Sequence, residues 1–275
     1  MNARYLVALG WAKVPPARND EISDMSADKT NKKPKAPVRK AAPRRGRASA
    51  KRVGWQRDPE GMRKRILEAA TAEFANYGLS GARIDRIARV AGANKRMLYY
   101  HVGNKDDLYL EVLVGSYESI RAAERELNLE ALAPIDALVR LLEFTWLYYL
   151  DHPEFLALLS TENLHRGAFL RRSRRIKDLH SPFVGMIRAI LRRGEADGTL
   201  RKGIDPVQLY ISIASLCWFY VSNSHTLTVI FGADMLDSAA KSARLDHIKE
   251  LFRAALEPRD GALDPGVAKL LEFNQ

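Results

Sequence analysis

RIDRIARVAGANKRMLYYH, residues 83–101, holds two short helical patterns on either side of a glycine. In the first, from about Arg83 to Val90, Ile84, Ile87 and Ala88 fall on one face, as 3.6 residues per turn requires. In the second, from about Asn94 to His101, Leu98 is placed to meet Ile84 and Ile87 and so fix the angle between the helices. Ala91-Gly92-Ala93 makes the tight turn between them, where a glycine takes a positive φ without a steric penalty. A longer helix comes first. Asp58-Pro59 pairs an acidic N-cap with proline at the first helical position, Met62, Ile66, Ala70 and Phe74 recur every four residues, and Gly78 ends the run. A supporting helix followed by two short helices joined through a Gly turn predicts a helix-turn-helix. Its last helix presents Asn94, Lys95, Arg96, Tyr99, Tyr100 and His101, all able to reach phosphates or base edges. An α-helix fits the major groove with its first residues toward the bases. Singly, Lys95 and Arg96 would be a solvated face and the tyrosines packing residues. Only their joint spacing points to duplex DNA.

Working outward, Asn104 caps the next helix, whose first turn carries Asp106 and Asp107 at the positive end of the helix dipole. Five further helices are predicted: Pro134 to Leu150, Pro153 to His165, Phe169 to Asp197, Asp205 to Phe231 and Asp237 to Leu256. Asp205-Pro206-Val207-Gln208 has the form of a capping box. No alternating strand pattern or hairpin signal occurs, so the fold class is all-α. The expected division is a basic N-terminal arm (1–57), a helix-turn-helix domain (58–105), a helical effector-binding and dimerisation domain (106–258) and a C-terminal tail (259–275).

The run Ile66-Leu67-Glu68-Ala69-Ala70, then Phe74, Tyr77-Gly78, Ile87-Ala88, Ala91-Gly92, Leu98-Tyr99-Tyr100-His101 and Lys105, resembles the TetR family of transcriptional regulators. The segment from Phe219 to Leu227 resembles a subgroup that regulates the catabolism of pyrimidines and other nitrogen compounds. The resemblance implies phosphate contacts from Tyr99, His101 and Lys105, with Lys95, Arg96, Met97 and Tyr100 in or over the groove. It implies that Asn94 caps the recognition helix and touches a phosphate, that Arg83 reaches the DNA backbone, and that Leu98 is core. It also implies a repressor that a small-molecule effector releases from its operator. Three positions depart from the family pattern. Ala82 stands where a capping hydroxyl is usual, Arg96 where glycine is common, and Val102 where Phe is usual. Arg96 makes a bidentate contact to a guanine available.

One helix-turn-helix reads few base pairs, so a homodimer on a palindromic operator is expected. The face formed by Ile248, Leu251, Phe252 and Leu256 is the expected pairing surface, with a core face within the chain as the alternative. Most aromatics of the middle helices are expected to be core; the family resemblance implies an effector pocket among them, with Trp146, Tyr149, Trp218, Asn223 and His225 as candidates. Arg166 to Lys177 holds six cations and no acid, read as a solvated surface or an attraction for an anionic effector.

The bulk numbers agree. The net charge of the 275 residues is +11. Residues 1–57 hold 15 Lys/Arg against 4 Asp/Glu, and residues 58–275 hold 29 of each, so the whole excess is N-terminal. That segment is poor in large apolar residues and reads as a disordered arm that tracks a polyanion, with a solvated tail without a specific partner as the alternative. A natural start at Met25 rather than Met1 is a further expectation. Cys217, the single cysteine, allows no internal disulfide and suits a reducing cytoplasm. No apolar run reaches the ~20 residues of a membrane span. No GxGxxG, GxxxxGK[ST], HExxH or GxSxG occurs, so neither an enzyme nor a cofactor or metal is expected. A sequence-independent DNA-binding protein is the remaining alternative.

Overall fold

The computed structural model describes residues 58–258, and the arm and tail expected at 1–57 and 259–275 lie outside them. The described residues form ten α-helices and no strand. These are α1 (Pro59–Gly81), α2 (Ile84–Ala91), α3 (Lys95–Val102), α4 (Lys105–Arg125), α5 (Pro134–Asp151), α6 (Pro153–Leu164), α7 (Arg174–Asp197), α8 (Pro206–Ser222), α9 (Ser224–Phe231) and α10 (Ser238–Leu256). Short 3-10 turns occupy Leu129–Ala131 and Leu170–Arg172.

The helix starts are set by local chemistry. Asp58, Asn94, Asn104, Asp205 and Asp237 each accept a hydrogen bond from a backbone N–H of the first turn. Each satisfies a donor that the helix itself leaves free, worth ~1 kcal/mol. At Asp205 only half of the capping box forms: the carboxylate accepts from Val207 and Gln208, and the Gln208 side chain makes no return bond among the described residues.

Three predicted boundaries shift, each for a visible reason. Gly78 takes φ +63° and kinks α1, which then runs on to Gly81. The helix expected from Phe169 starts only at Arg174, because Glu162 Oε1 accepts from the N–H groups of both Phe169 and Leu170 and winds the entry into a 3-10 turn. The single helix expected from Asp205 to Phe231 is two helices broken at Asn223. Ser222 Oγ donates to the carbonyl of Trp218 and Asn223 Nδ2 to that of Phe219, drawing the backbone out of the helical pattern.

Two apolar cores result. The first joins Ile66, Phe74, Ile87, Leu98, Leu108 and Leu113 of α1 to α4. Phe74, Tyr109 and Phe169 meet edge to face at 5.1 and 4.9 Å and tie α1, α4 and the 3-10 turn together. Such pairs add ~0.5–1.5 kcal/mol beyond area burial. The second core gathers Ile120, Leu138, Leu141, Trp146, Ile187 and Ile213 of α4 to α8. Helix α4 serves both, its first half in one core and its second half in the other. The first core therefore extends through Leu113, past the boundary expected at residue 105.

The expected pairing face on α10 is corrected. Ile248, Phe252 and Leu256 are buried in the chain's own second core, and only Leu251 faces outward, 48% exposed. Helix α10 packs on α5 and is pinned there by the ion pairs Lys249–Glu143 and Arg253–Asp136. Cys217 is core too, its thiol pushed up to about 12 by burial.

Candidate nucleic-acid interface

Helix α2 begins without a cap of its own. The cap position is Arg83, one residue after the Ala82 expected there, and the Arg83 side chain makes no capping bond. Ala82 is buried against the first core. A carboxylate from α1 takes over instead. Glu73 Oε1 accepts from the Arg83 N–H at 2.7 Å and from Arg86 Nε at 2.7 Å. Arg86 also donates to the Gly81 carbonyl at 2.9 Å and lies 4.1 Å from the centre of the Tyr77 ring. Burial pushes the Glu73 carboxyl up, but the hydrogen bonds from Arg86 and from the Arg83 N–H outweigh it and hold it below the ordinary carboxylate range. This clamp joins α1 to α2 and so fixes the platform on which α3 stands.

Helix α3 then divides cleanly. Leu98 and Val102, four residues apart, are buried in the core, so Val102 fills the place of the usual Phe without becoming exposed. The outward face carries Lys95, Arg96, Met97, Tyr99 and Tyr100. Tyr100 is 86% exposed, an unusual state for a large aromatic ring. His101 is half-buried and meets the Tyr100 ring edge-on at 5.4 Å. Asn94 Oδ1 accepts from the Met97 N–H at 2.8 Å, so its amide group remains turned outward for a further partner. Arg96 has no hydrogen bond or ion pair among the described residues, whereas Lys95 Nζ pairs with Asp85 Oδ1 at 2.5 Å. That bond and the charge of Asp85 raise the Lys95 ammonium pKa. Lys105, at the start of α4, rests its ammonium 3.5 Å from the Ser80 carbonyl, and Arg83 is exposed beside α2. All nine residues expected at the DNA therefore belong to α3, its flanking turns and the adjoining helix starts.

The five effector candidates are not assembled in this way. Trp146 and Tyr149 are buried on α5, Trp146 with its ring 5.6 Å from Tyr220 and Tyr149 with its phenol pKa raised by burial. Trp218 is half-buried with its indole N–H unpartnered, Asn223 forms the α8–α9 break, and His225 is exposed. The cations between Arg166 and Lys177 are exposed, and two of them pair with acids of α4 (Arg172 with Asp107, Arg175 with Glu118). Sequence reasoning missed the buried pair Arg121–Glu124 on α4, each residue 3% exposed. Its signal was the register: Val114, Tyr117 and Ile120 mark the inward face of α4, and Arg121 and Glu124 continue it.

Comparison with known proteins agrees with this geometry. Residues 66–112 match the family profile described as bacterial regulatory proteins, tetR family, and residues 134–251 match a Tetracyclin repressor-like C-terminal domain. The HTH-type transcriptional repressor NicS of Pseudomonas putida is 42% identical over 189 residues, covering 69% of this chain and 89% of that protein. The HTH-type transcriptional regulator RutR of Escherichia coli strain K12 is 26% identical, covering 72% and 91%. Among solved structures, the ketosteroid transcriptional regulator KstR2 of Mycobacterium tuberculosis shares the fold with a TM-score of 0.55 at 21% identity, covering 72% of this chain and 95% of that one.

Proposed function

Because the chain belongs to the TetR family and is a sequence-specific DNA-binding transcriptional regulator, we propose that it acts as a homodimeric repressor whose hold on a palindromic operator is released by a small molecule. The observation that carries this reading is the outward face of α3. A solvent-facing row of cations and tyrosines stands on a helix whose other side, Leu98 and Val102, is locked into the core. The contacts are those named from the sequence. Asn94, Tyr99, His101, Lys105 and Arg83 hold phosphates and set the register, while Lys95, Arg96, Met97 and Tyr100 face the bases. Lys95 leaves Asp85 to reach the groove. The protein regulates rather than catalyses, and it works on the nucleoid in the cytoplasm.

A second copy is the natural partner for the outer face of α8 and α10. Val207, Ile211 and Phe219 lie along one side of α8 at multiples of four residues, and they are 43%, 47% and 59% exposed. A groove of about 540 Å³ separates that side from Leu251 of α10. Two such faces meeting about a two-fold axis build a four-helix bundle and present two α3 helices to one side of a duplex. This replaces the α10 face expected from the sequence.

Selection of bound duplexes from a random-sequence library tests the proposal. The expected product is an inverted repeat with half-sites about one helical turn apart or a multiple of it, bound ~10³-fold or more over random DNA. Uniform recovery of all sequences would make this a sequence-independent coating protein and refute the reading.

A further inference from the structure

We propose that the cavity beside Arg121 is the effector site and that it takes a small planar organic anion, gripped through its carboxylate. This rests on the effector-released repressor described above.

Arg121 sits in the second half of α4, 3% exposed, and its Nε and Nη1 have no hydrogen-bond partner among the described residues. Its ionic neighbour Glu124 comes within 3.0 Å of Nε but out of hydrogen-bonding alignment, and Glu124 Oε2 is unpartnered as well. The Tyr210 hydroxyl is a partner of the same guanidinium, but a donor left unpaired in the core is costly unless an acceptor arrives. Such an orphan in the middle of a core helix is a poor stabilising device and a good receptor for an anion.

The space for that anion is present. A cavity of about 410 Å³ opens onto Arg121 and Glu124, walled by Leu129, Leu179, Phe183 and Met186. The wall is mixed, five apolar residues beside six polar or charged ones, which suits a ligand with both an apolar ring and a charged group. The Arg121 guanidinium lies 3.8 Å from the centre of the Phe183 ring and 5.5 Å from that of Tyr210. Stacking on a ring face orients the guanidinium and leaves its in-plane donors to grip a carboxylate side on. The same walls suit a flat ring on the ligand. Pro182, also on the cavity wall, has no N–H, so the carbonyl of Asp178 four residues earlier lacks its helical donor.

Three other charged groups face the cavity: Arg125 on α4, Asp178 on α7 and Glu130 on the 3-10 turn. Glu124 is the competitor for Arg121. Burial pushes its carboxyl well up, against the pull of Arg121 and Arg125, so it is a weak one. Capture of Arg121 by a ligand also has a route to the DNA. Helix α4 carries Arg121 in one core and Leu108, Tyr109 and Leu113 in the other, and its N-cap Asn104 follows directly on α3. A ligand that binds better in one position of α4 than in another shifts the reading heads by that difference.

Calorimetry on the full-length protein tests the assignment, using benzoate, 4-hydroxybenzoate and pyridine-2-carboxylate, each beside its carboxamide. At least one acid should bind, with its amide about 30-fold weaker or more, the scale of a buried charge pair losing one partner. Arg121→Gln should erase that acid-over-amide preference. Glu124→Gln, which removes the competing carboxylate and keeps the shape, should tighten the acid. Failure of all three acids to bind, equal binding of acid and amide, or weaker acid binding in Glu124→Gln would each overturn the inference. Enrichment of an inverted repeat in the duplex selection would leave the repressor reading standing in any of those cases.

Discussion

Removing the carboxylate of Glu73 should loosen α2 while leaving the rest of the protein intact. In Glu73→Ala the Arg83 N–H loses its acceptor, worth about 1 kcal/mol on the scale of helix caps. Arg86 loses a charge-assisted partner, worth about 1.5–3 kcal/mol when buried. Arg86 is 31% exposed and keeps the Gly81 carbonyl and the Tyr77 ring, so the lower end applies. The total is about 2–3 kcal/mol, or about 30- to 160-fold faster hydrogen exchange of the Ile84–Ala91 amides in a native-state experiment. Amides of α8 and α10, in the other core, serve as the unaffected control. The pH dependence has a definite sign. The folded-state pKa of Glu73 is held below the ordinary value of 4.5, so the clamp is at full strength above that pH. It weakens as pH falls through the lowered value. Unchanged α2 exchange at pH 7 would show that the clamp does not hold α2.

Other perturbations separate the remaining contributions. Arg96→Ala should cost ~1–3 kcal/mol on the preferred operator and relax specificity at one position per half-site, as read by affinity across single-base variants. Equal weakening on every duplex would mean that Arg96 touches phosphate alone. Deleting residues 1–57, which hold the entire net charge of +11, should weaken binding to all duplexes and flatten the dependence of affinity on salt. An unchanged salt slope counts against an arm on the phosphates. Gly194→Ala should destabilise the second core by about 1–3 kcal/mol in thermal unfolding, because a new Cβ would overlap the Leu200 side chain. A neutral result would mean that Leu200 moves aside freely.

The reading head was legible because everything that defines it is close in sequence. Caps at Asp58, Asn94 and Asn104, the glycine at 92 with φ +66°, and the four-residue spacing of the buried positions are each decided within one or two helical turns. What sequence missed depends on distant partners. Glu73 caps a helix ten residues away, and Glu162 starts a 3-10 turn seven residues on. The four apolar residues of α10 posed a deeper ambiguity, since an apolar stripe announces burial without saying against what. Ile248, Phe252 and Leu256 turn toward α5, and α8 holds the exposed apolar row.

The buried charges lie where apolar periodicity alone predicts solvent. A search for apolar periodicity along α4 registers Val114, Tyr117 and Ile120 and passes over Arg121 and Glu124, because a charged residue counts as a solvent position. Yet a charge that keeps the inward register must be buried, and a buried charge must find a partner or wait for one. In the reading head that rule gives Glu73, whose partners Arg83 and Arg86 are in place and whose role is structural. In the second core it gives Arg121, whose partner is misaligned and whose Nε and Nη1 stay unpaired among the described residues, in the wall of a cavity. Satisfied and unsatisfied, Glu73 and Arg121 mark two tasks of the fold: one holds the DNA-reading helices still, and the other leaves α4 something to respond to.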